Sequence, residues 1–274
     1  MRLAIATSPQ RTTWTWLREV WKRADELPTI ESGWTFDHFY PLFGDSTEDC
    51  LEGWISLTAL LQETTRIRGG VLVTAMAYRH PAVLANMAAT LDITSGGRLE
   101  LGVGAGWNEE ETKAYGMELG TVKQRLDRFA EGLAVIDSLL TNDRTSYHGQ
   151  YFHLEDAMCN PKPVQRPLPV CIGGTGRTRT LPLAARYADH WNYGGNDLAE
   201  FVDCRDVLHN ACAAIDRDPA TITCSWLVRW TGDIAAAREE VRVFEAAGAR
   251  LALVSLPKTA PPSVVKDVAA ALAP

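Results

Sequence analysis

Eight times along this chain, a short apolar run of strand length is followed by apolar residues at helical spacing. No other feature of the sequence constrains the fold as strongly. The strand-like runs fall at residues 3–6, 33–36, 67–73, 99–103, 170–172, 190–193, 222–230 and 251–255. Between them Trp14, Leu17, Trp21 and Ala24 trace one helical stripe, which Pro28 ends. A second helix is expected to open at Ser46-Thr47-Glu48-Asp49, with Leu51, Trp54, Ile55, Thr58 and Leu61 on one face. Pro81 suits the first position of a third, since its missing N–H costs nothing there, and Val83, Leu84, Met87, Ala88 and Leu91 form its stripe. Thr121 and Gln124 have capping-box spacing before a long fourth helix. Helices over 179–188, 198–215, 234–247 and 263–272 complete the alternation, with Ile215 among the inward residues of the second of these.

The rhythm pauses once. Residues 145–154 read as a hairpin around Gly149-Gln150, and Pro161, Pro163, Pro167 and Pro169 follow. This stretch, about 141–169, is an insertion between the fourth helix and the fifth strand. Alternating strands and crossover helices give a parallel sheet, and eight units within 274 residues predict a closed (β/α)8 TIM barrel in the α/β class. The whole span 1–274 is expected to form one domain.

Composition narrows the partners. A 46% hydrophobic content excludes a disordered chain, and a formal charge of −7 removes the basic footprint that nucleic acid or an anionic membrane would need. Six cysteines include no Cys-x-x-Cys pair, so buried reduced thiols are expected and no metal site is. No stretch approaches the ~20 apolar residues of a membrane span, and the apolar run at residues 3–6 is too short for a signal-peptide core. A cytoplasmic protein acting on a small molecule is the expectation.

In such a barrel the active site lies at the C-terminal ends of the strands, so the residues just after each strand carry the information. After the second come Asp37 and His38; an imidazole there is placed for proton transfer. After the third, Arg79 and His80 read as a helix start. After the fourth, Gly102, Gly104 and Gly106 bracket Val103 and Ala105, so that a flat ligand can approach the backbone, and Trp107 follows. Glu109, Glu110 and Glu111 read as a solvated first helical turn. After the fifth, Gly173-Gly174-Thr175-Gly176-Arg177-Thr178-Arg179 runs into a helix. Glycines, a hydroxyl, free N–H groups and arginines together predict a phosphate site. No Gly-Lys-Ser/Thr follows, so this is not a Walker loop.

These loops resemble the luciferase-like monooxygenase superfamily, in its branch that uses coenzyme F420, a deazaflavin. The resemblance rests on Asp37-His38-Phe39, on Tyr78-Arg79-His80-Pro81-Ala82, on Thr94-Ser95-Gly96-Gly97-Arg98 running on to Trp107, and on Ile172-Gly173-Gly174 with Ala188-Asp189. It implies an oxidoreductase that moves a hydride between F420 and a small organic substrate. Asp37 and His38 would then contact the ring, with His38 the catalytic proton donor or orienting group. A non-proline cis peptide at Val71-Leu72 would back the ring, Gly104, Ala105 and Gly106 would line it, and Gly173, Gly174, Thr175, Gly176 and Arg177 would hold the phosphate. Sugar-phosphate dehydrogenases of the family carry a glutamate where this chain has Trp107, and a lysine not evident in Tyr193-Gly194-Gly195-Asn196. Glucose-6-phosphate oxidation is therefore not expected, and Trp107 becomes a substrate wall. The alternatives are an FMN-dependent monooxygenase on the same barrel and a non-catalytic cofactor-binding protein. Exposed helices of such barrels commonly pair, so a homodimer is also expected.

Overall fold

The computed structural model describes residues 1–42 and 44–273; Pro274, the end of the expected span, lies outside them. In chain order the first half holds β1 (Arg2–Ala6), α1 (Trp14–Asp25), β2 (Ile30–Thr35), α2 (Gly53–Gln62), β3 (Arg68–Val71), β4 (Thr74–Ala75), α3 (Pro81–Thr94), β5 (Leu99–Gly104), α4 (Glu109–Ala114) and α5 (Val122–Thr141). The second holds β6 (Thr145–His148), β7 (His153–Ala157), β8 (Val170–Gly173), α6 (Thr180–Tyr187), β9 (His190–Tyr193), α7 (Leu198–Ala213), β10 (Thr223–Arg229), α8 (Ile234–Ala246), β11 (Leu251–Ser255) and α9 (Val264–Leu272).

The ladder runs β3-β2-β1-β11-β10-β9-β8-β5, and β3 pairs with β5 to close the ring. Every pairing in it is parallel, and β3 with β4 is one interrupted strand, so the barrel has the eight strands that the alternation implied. The antiparallel hairpin β6–β7 is the insertion. Alternation along each strand separates two apolar layers. Leu99, Leu101 and Val103 of β5 face the helices, whereas Ala4, Trp34, Cys171, Leu251 and Leu253 pack inside the ring. The indole of Trp34 fills the lumen, so the barrel is a packed core closed beneath its C-terminal face.

Local sequence reading fails where tertiary pairing takes over. The second helix does not begin at Ser46–Asp49. Instead Leu51 N–H donates to the Pro9 carbonyl (3.0 Å) and Cys50 bridges Gln10, so this backbone is satisfied by the loop after β1. The helix starts at Gly53, capped by the Glu52 carboxylate, and its phase buries Trp54, Leu57, Leu60 and Leu61 while Ile55 is 72% exposed. Val83 is likewise exposed, and Ile215 lies beyond the end of α7, in solvent. The cis peptide is Leu72-Val73, one residue beyond the expected bond: the ladder with β2 runs through Val71, paired with Thr35, and the chain leaves the regular strand only after it. All six cysteines are unpaired, and among the described residues no helix is long and apolar enough to cross a membrane.

Candidate active site

A cavity of about 630 Å³ opens at the C-terminal end of the barrel. Leu72 and Val73, from the break between β3 and β4, line it together with Gly104, Ala105 and Gly106 after β5 and Gly173 of β8. A Cβ at Gly104 would come within 2.7 Å of Val73 Cγ2, and one at Gly102 would overlap the Val71 carbonyl oxygen. Glycine on β5 is therefore what lets the third strand's break lie flat against its neighbour.

At one end of the cavity stands His38, with Trp107 5.8 Å away between ring centres and 56% exposed at the mouth. His38 Nδ1 lies 2.6 Å from Glu111 Oε2. The Tyr78 hydroxyl donates to the same oxygen at 2.6 Å, and the Phe39 N–H donates to Oε1. Glu111 has no accessible surface and no Arg or Lys within ion-pair distance among the described residues. Burial alone would raise its carboxyl, but the bonds from His38, Tyr78 and Phe39 together hold it below the usual range. Burial, and then the bond to Glu111, push the Tyr78 phenol far up, so it is a fixed donor. With Nδ1 turned to a carboxylate that can only accept, Nε2 is the free end of the His38 ring, and the ring lines the cavity.

Glu111 corrects the reading of its segment. Glu109 and Glu110 are exposed, as a solvated first turn requires. Glu111, three residues past the Asn108 cap of α4, is on the inner face of that helix. The spacing from Asn108 was the available signal; what it could not show is that this first turn packs on His38.

Asp37 does not line the cavity. It is 1% exposed, and neighbouring residues at a strand end point to opposite sides, so it turns away from His38 to the Arg79 guanidinium. Arg79 also donates to Glu52 Oε1 at 2.5 Å and lies over Trp54, so it ties α2 to the loop before α3. His80 caps α3 through Nδ1, as a helix-start residue should. Val71 also sits outside the cavity, packed toward the helices.

The other end of the cavity is polar. Gly173, Gly174, Thr175, Gly176 and Thr180 line it where the chain enters α6, and Gly174 has φ +125°, open only to glycine without strain. The expected arginine is elsewhere. Arg177 points outward and pairs with Asp203 at 2.6 Å, and Arg179 pairs with Asp127 at 2.5 Å. The cation that reaches the cavity is Arg125, one turn into α5, which makes no ion pair among the described residues. Val122 and Leu126 beside it give the outer wall.

A cavity with a Cβ-poor wall, a hydrogen-bonded histidine at one end, and threonines, glycines and a free arginine at the other suits a flat ring carrying an anionic tail. Over 168 residues the chain is 34% identical to an F420-dependent glucose-6-phosphate dehydrogenase of Amycolatopsis mediterranei, which covers 61% of this chain and 48% of that protein. Over 190 residues it is 31% identical to an F420-dependent hydroxymycolic acid dehydrogenase of Mycobacterium tuberculosis, covering 69% and 51%. The chain thus spans about half the length of the curated relatives it matches. Among solved structures, an F420-dependent secondary alcohol dehydrogenase in complex with an F420-acetone adduct superposes with a TM-score of 0.88 at 20% identity, over 100% of this chain and 99% of that one, a likeness of fold. The luciferase-like monooxygenase family matches residues 1–270, and the chain belongs to that family.

Proposed function

We propose that the protein transfers a hydride between coenzyme F420 and a small, uncharged organic substrate, with His38 as the group that exchanges the proton. The observation that carries this reading is the free Nε2 of His38, held at the cavity by a buried carboxylate on the ring's other nitrogen. When bound, a deazaflavin supplies the hydride chemistry. The chain supplies the rest. Leu72 and Val73 would back the ring, Gly104, Ala105 and Gly106 would let it approach the backbone, and Gly174, Thr175 and Gly176 with Arg125 would receive its phosphate.

In the oxidative direction His38 Nε2 would accept the hydroxyl proton of a substrate that loses a hydride. The reverse direction returns both. Glu111 balances the imidazolium while it carries the proton, since no other charge lies within ion-pair distance of either group among the described residues. Trp107 and Leu227 offer apolar surface to the substrate. Arg125, committed to the ring's tail, leaves no cation for a phosphorylated substrate, so the sugar-phosphate specificity in one relative's name is not carried over.

The experiment is a pair of fluorescence-quenching titrations, with F420 and with FMN, followed by turnover of His38→Ala. Micromolar binding of F420 in preference to FMN, with turnover in the variant falling far more than affinity, is the expected result. Preferential FMN binding with oxygen uptake would replace this reading by that of a monooxygenase.

A further inference from the structure

Asn192 is the single side-chain amide among the residues lining the cavity, and it is 5% exposed. It sits on β9 opposite Gly173 of β8 and Ser225 of β10. Its Nδ2 donates to Ser225 Oγ at 2.9 Å, and Ser225 Oγ lies 2.6 Å from His190 Nε2. His190 Nδ1 is 3.5 Å from Glu100 Oε2, and Glu100 Oε1 accepts from Arg68 Nε at 2.8 Å. A chain of polar groups thus runs through the barrel from the cavity toward its opposite end, with Ser225 and His190 almost without accessible surface.

The donors and acceptors in this chain can be ordered from one end. His190 Nδ1 makes no hydrogen bond, but at 3.5 Å from a carboxylate that only accepts it is the ring nitrogen favoured to carry the proton. In the neutral ring Nε2 is then an acceptor, the Ser225 hydroxyl donates to it, and Ser225 is left to accept from Asn192. In the charged ring Nε2 donates, and Ser225 turns its proton to the Trp191 carbonyl at 3.4 Å, still accepting from Asn192. In the neutral ring the amide must give its NH2 to Ser225; in the charged ring it keeps that orientation with the Trp191 carbonyl taking the hydroxyl proton. Oδ1, which has no partner among the described residues, is left to the cavity.

We propose that Asn192 is a ring-binding residue whose Oδ1 accepts a hydrogen bond from an imide N–H, and that Ser225 and His190 are positioning residues that fix which end of the amide faces the ligand. The inference rests on the reading that the cavity holds a flat ring, and the imide edge it names is common to deazaflavins and flavins. The test measures dissociation constants and the bound ring's absorption band with F420 and with FMN. The proteins are wild type, Asn192→Leu, Asn192→Asp and Ser225→Ala, each checked for an unchanged melting temperature. Asn192→Leu should weaken binding about tenfold and shift the band. Ser225→Ala, with Asn192 intact but free to turn, should weaken it about threefold. Asn192→Asp fills the same space and keeps an acceptor, so it should displace the band opposite to Asn192→Leu; if the leucine variant does not fold, a wild-type affinity and band in Ser225→Ala overturns the proposal instead.

Wild-type affinity and band in Asn192→Leu, or equal band shifts in the leucine and aspartate variants, would overturn the proposal. Where the leucine variant folds, an unchanged Ser225→Ala would overturn the positioning role alone. Binding of FMN but not F420 removes the proposed function and leaves this inference to be read with FMN. A protein that binds neither ring removes both.

Discussion

The barrel carries a histidine–glutamate pair at each end, and the two are built differently. At the open end, His38 Nδ1 meets Glu111 at 2.6 Å, with no Arg or Lys within ion-pair distance of either partner among the described residues. At the other end, His190 lies 3.5 Å from Glu100, and Arg68 binds the same carboxylate. Glu100 therefore has a permanent counter-charge beside the imidazole. Glu111 has only hydrogen-bond donors, one of them the ring whose other nitrogen faces the cavity. On the proposed function, the same two side chains make a structural tie in one place and a proton-exchange site in the other, and what separates them is one guanidinium.

The largest effects should come from breaking the open pair. His38→Ala should reduce turnover by about 10²–10⁴-fold, the range over which a positioned proton-transfer group contributes. Glu111→Gln keeps the shape and removes the charge that balances the imidazolium. It should lower kcat roughly tenfold or more and leave F420 affinity within about twofold, measured by steady-state kinetics beside a binding titration. If Glu111→Gln has wild-type kcat, the two pairs are equivalent and the contrast fails.

The closed pair should report in stability instead. Burial raises the Glu100 carboxyl, yet His190 and Arg68 outweigh it and hold it at about 2. A folded pKa below the unfolded value contributes stability that is present above the unfolded carboxylate range and lost as pH falls toward 2. That contribution is on the order of 3 kcal/mol. Thermal unfolding between pH 7 and pH 3 should therefore show Glu100→Gln destabilised at neutral pH, with the difference from wild type narrowing in acid. Its kcat, corrected for the folded fraction, should stay within about twofold of wild type.

Committed and free charge also separate the arginines of the phosphate end, and here the sequence could be read only in part. Gly173, Gly174, Thr175 and Gly176 are legible because a glycine-rich turn entering a helix has one local geometry. Arg177 is in the right segment but points away, since its partner Asp203 comes from α7, 26 residues on. Arg125 is the reverse case: it lies in the long helix α5, and only closure of the barrel brings it to the cavity. The same division holds elsewhere. The eight strands are read almost to their ends because period and length are local, and β9 and β11 match to the residue. The inward turn of Glu111 and the late start of α2 are not, because each is decided by a partner distant in sequence. Arg125→Ala should raise the F420 dissociation constant about tenfold, the value of one lost charge-assisted bond, whereas Arg177→Ala should change it less than twofold.

The smallest effect sharpens the opening contrast most directly. Tyr78→Phe removes one donor from Glu111 and leaves His38, the cavity wall and the Phe39 N–H in place. Losing that donor raises the Glu111 carboxyl from its depressed value, so Glu111 takes up a proton at a higher pH than in wild type. Once protonated, Glu111 no longer balances an imidazolium. The acid limb of the kcat profile should therefore move to higher pH, and kcat at neutral pH should fall by roughly threefold, the size of one net hydrogen bond. The equivalent subtraction at the closed end, Ser225→Ala, removes the hydroxyl on His190 but leaves Arg68 on Glu100, and should leave the acid limb where it was. A matching displacement in both variants would mean that Arg68 does not separate the two ends.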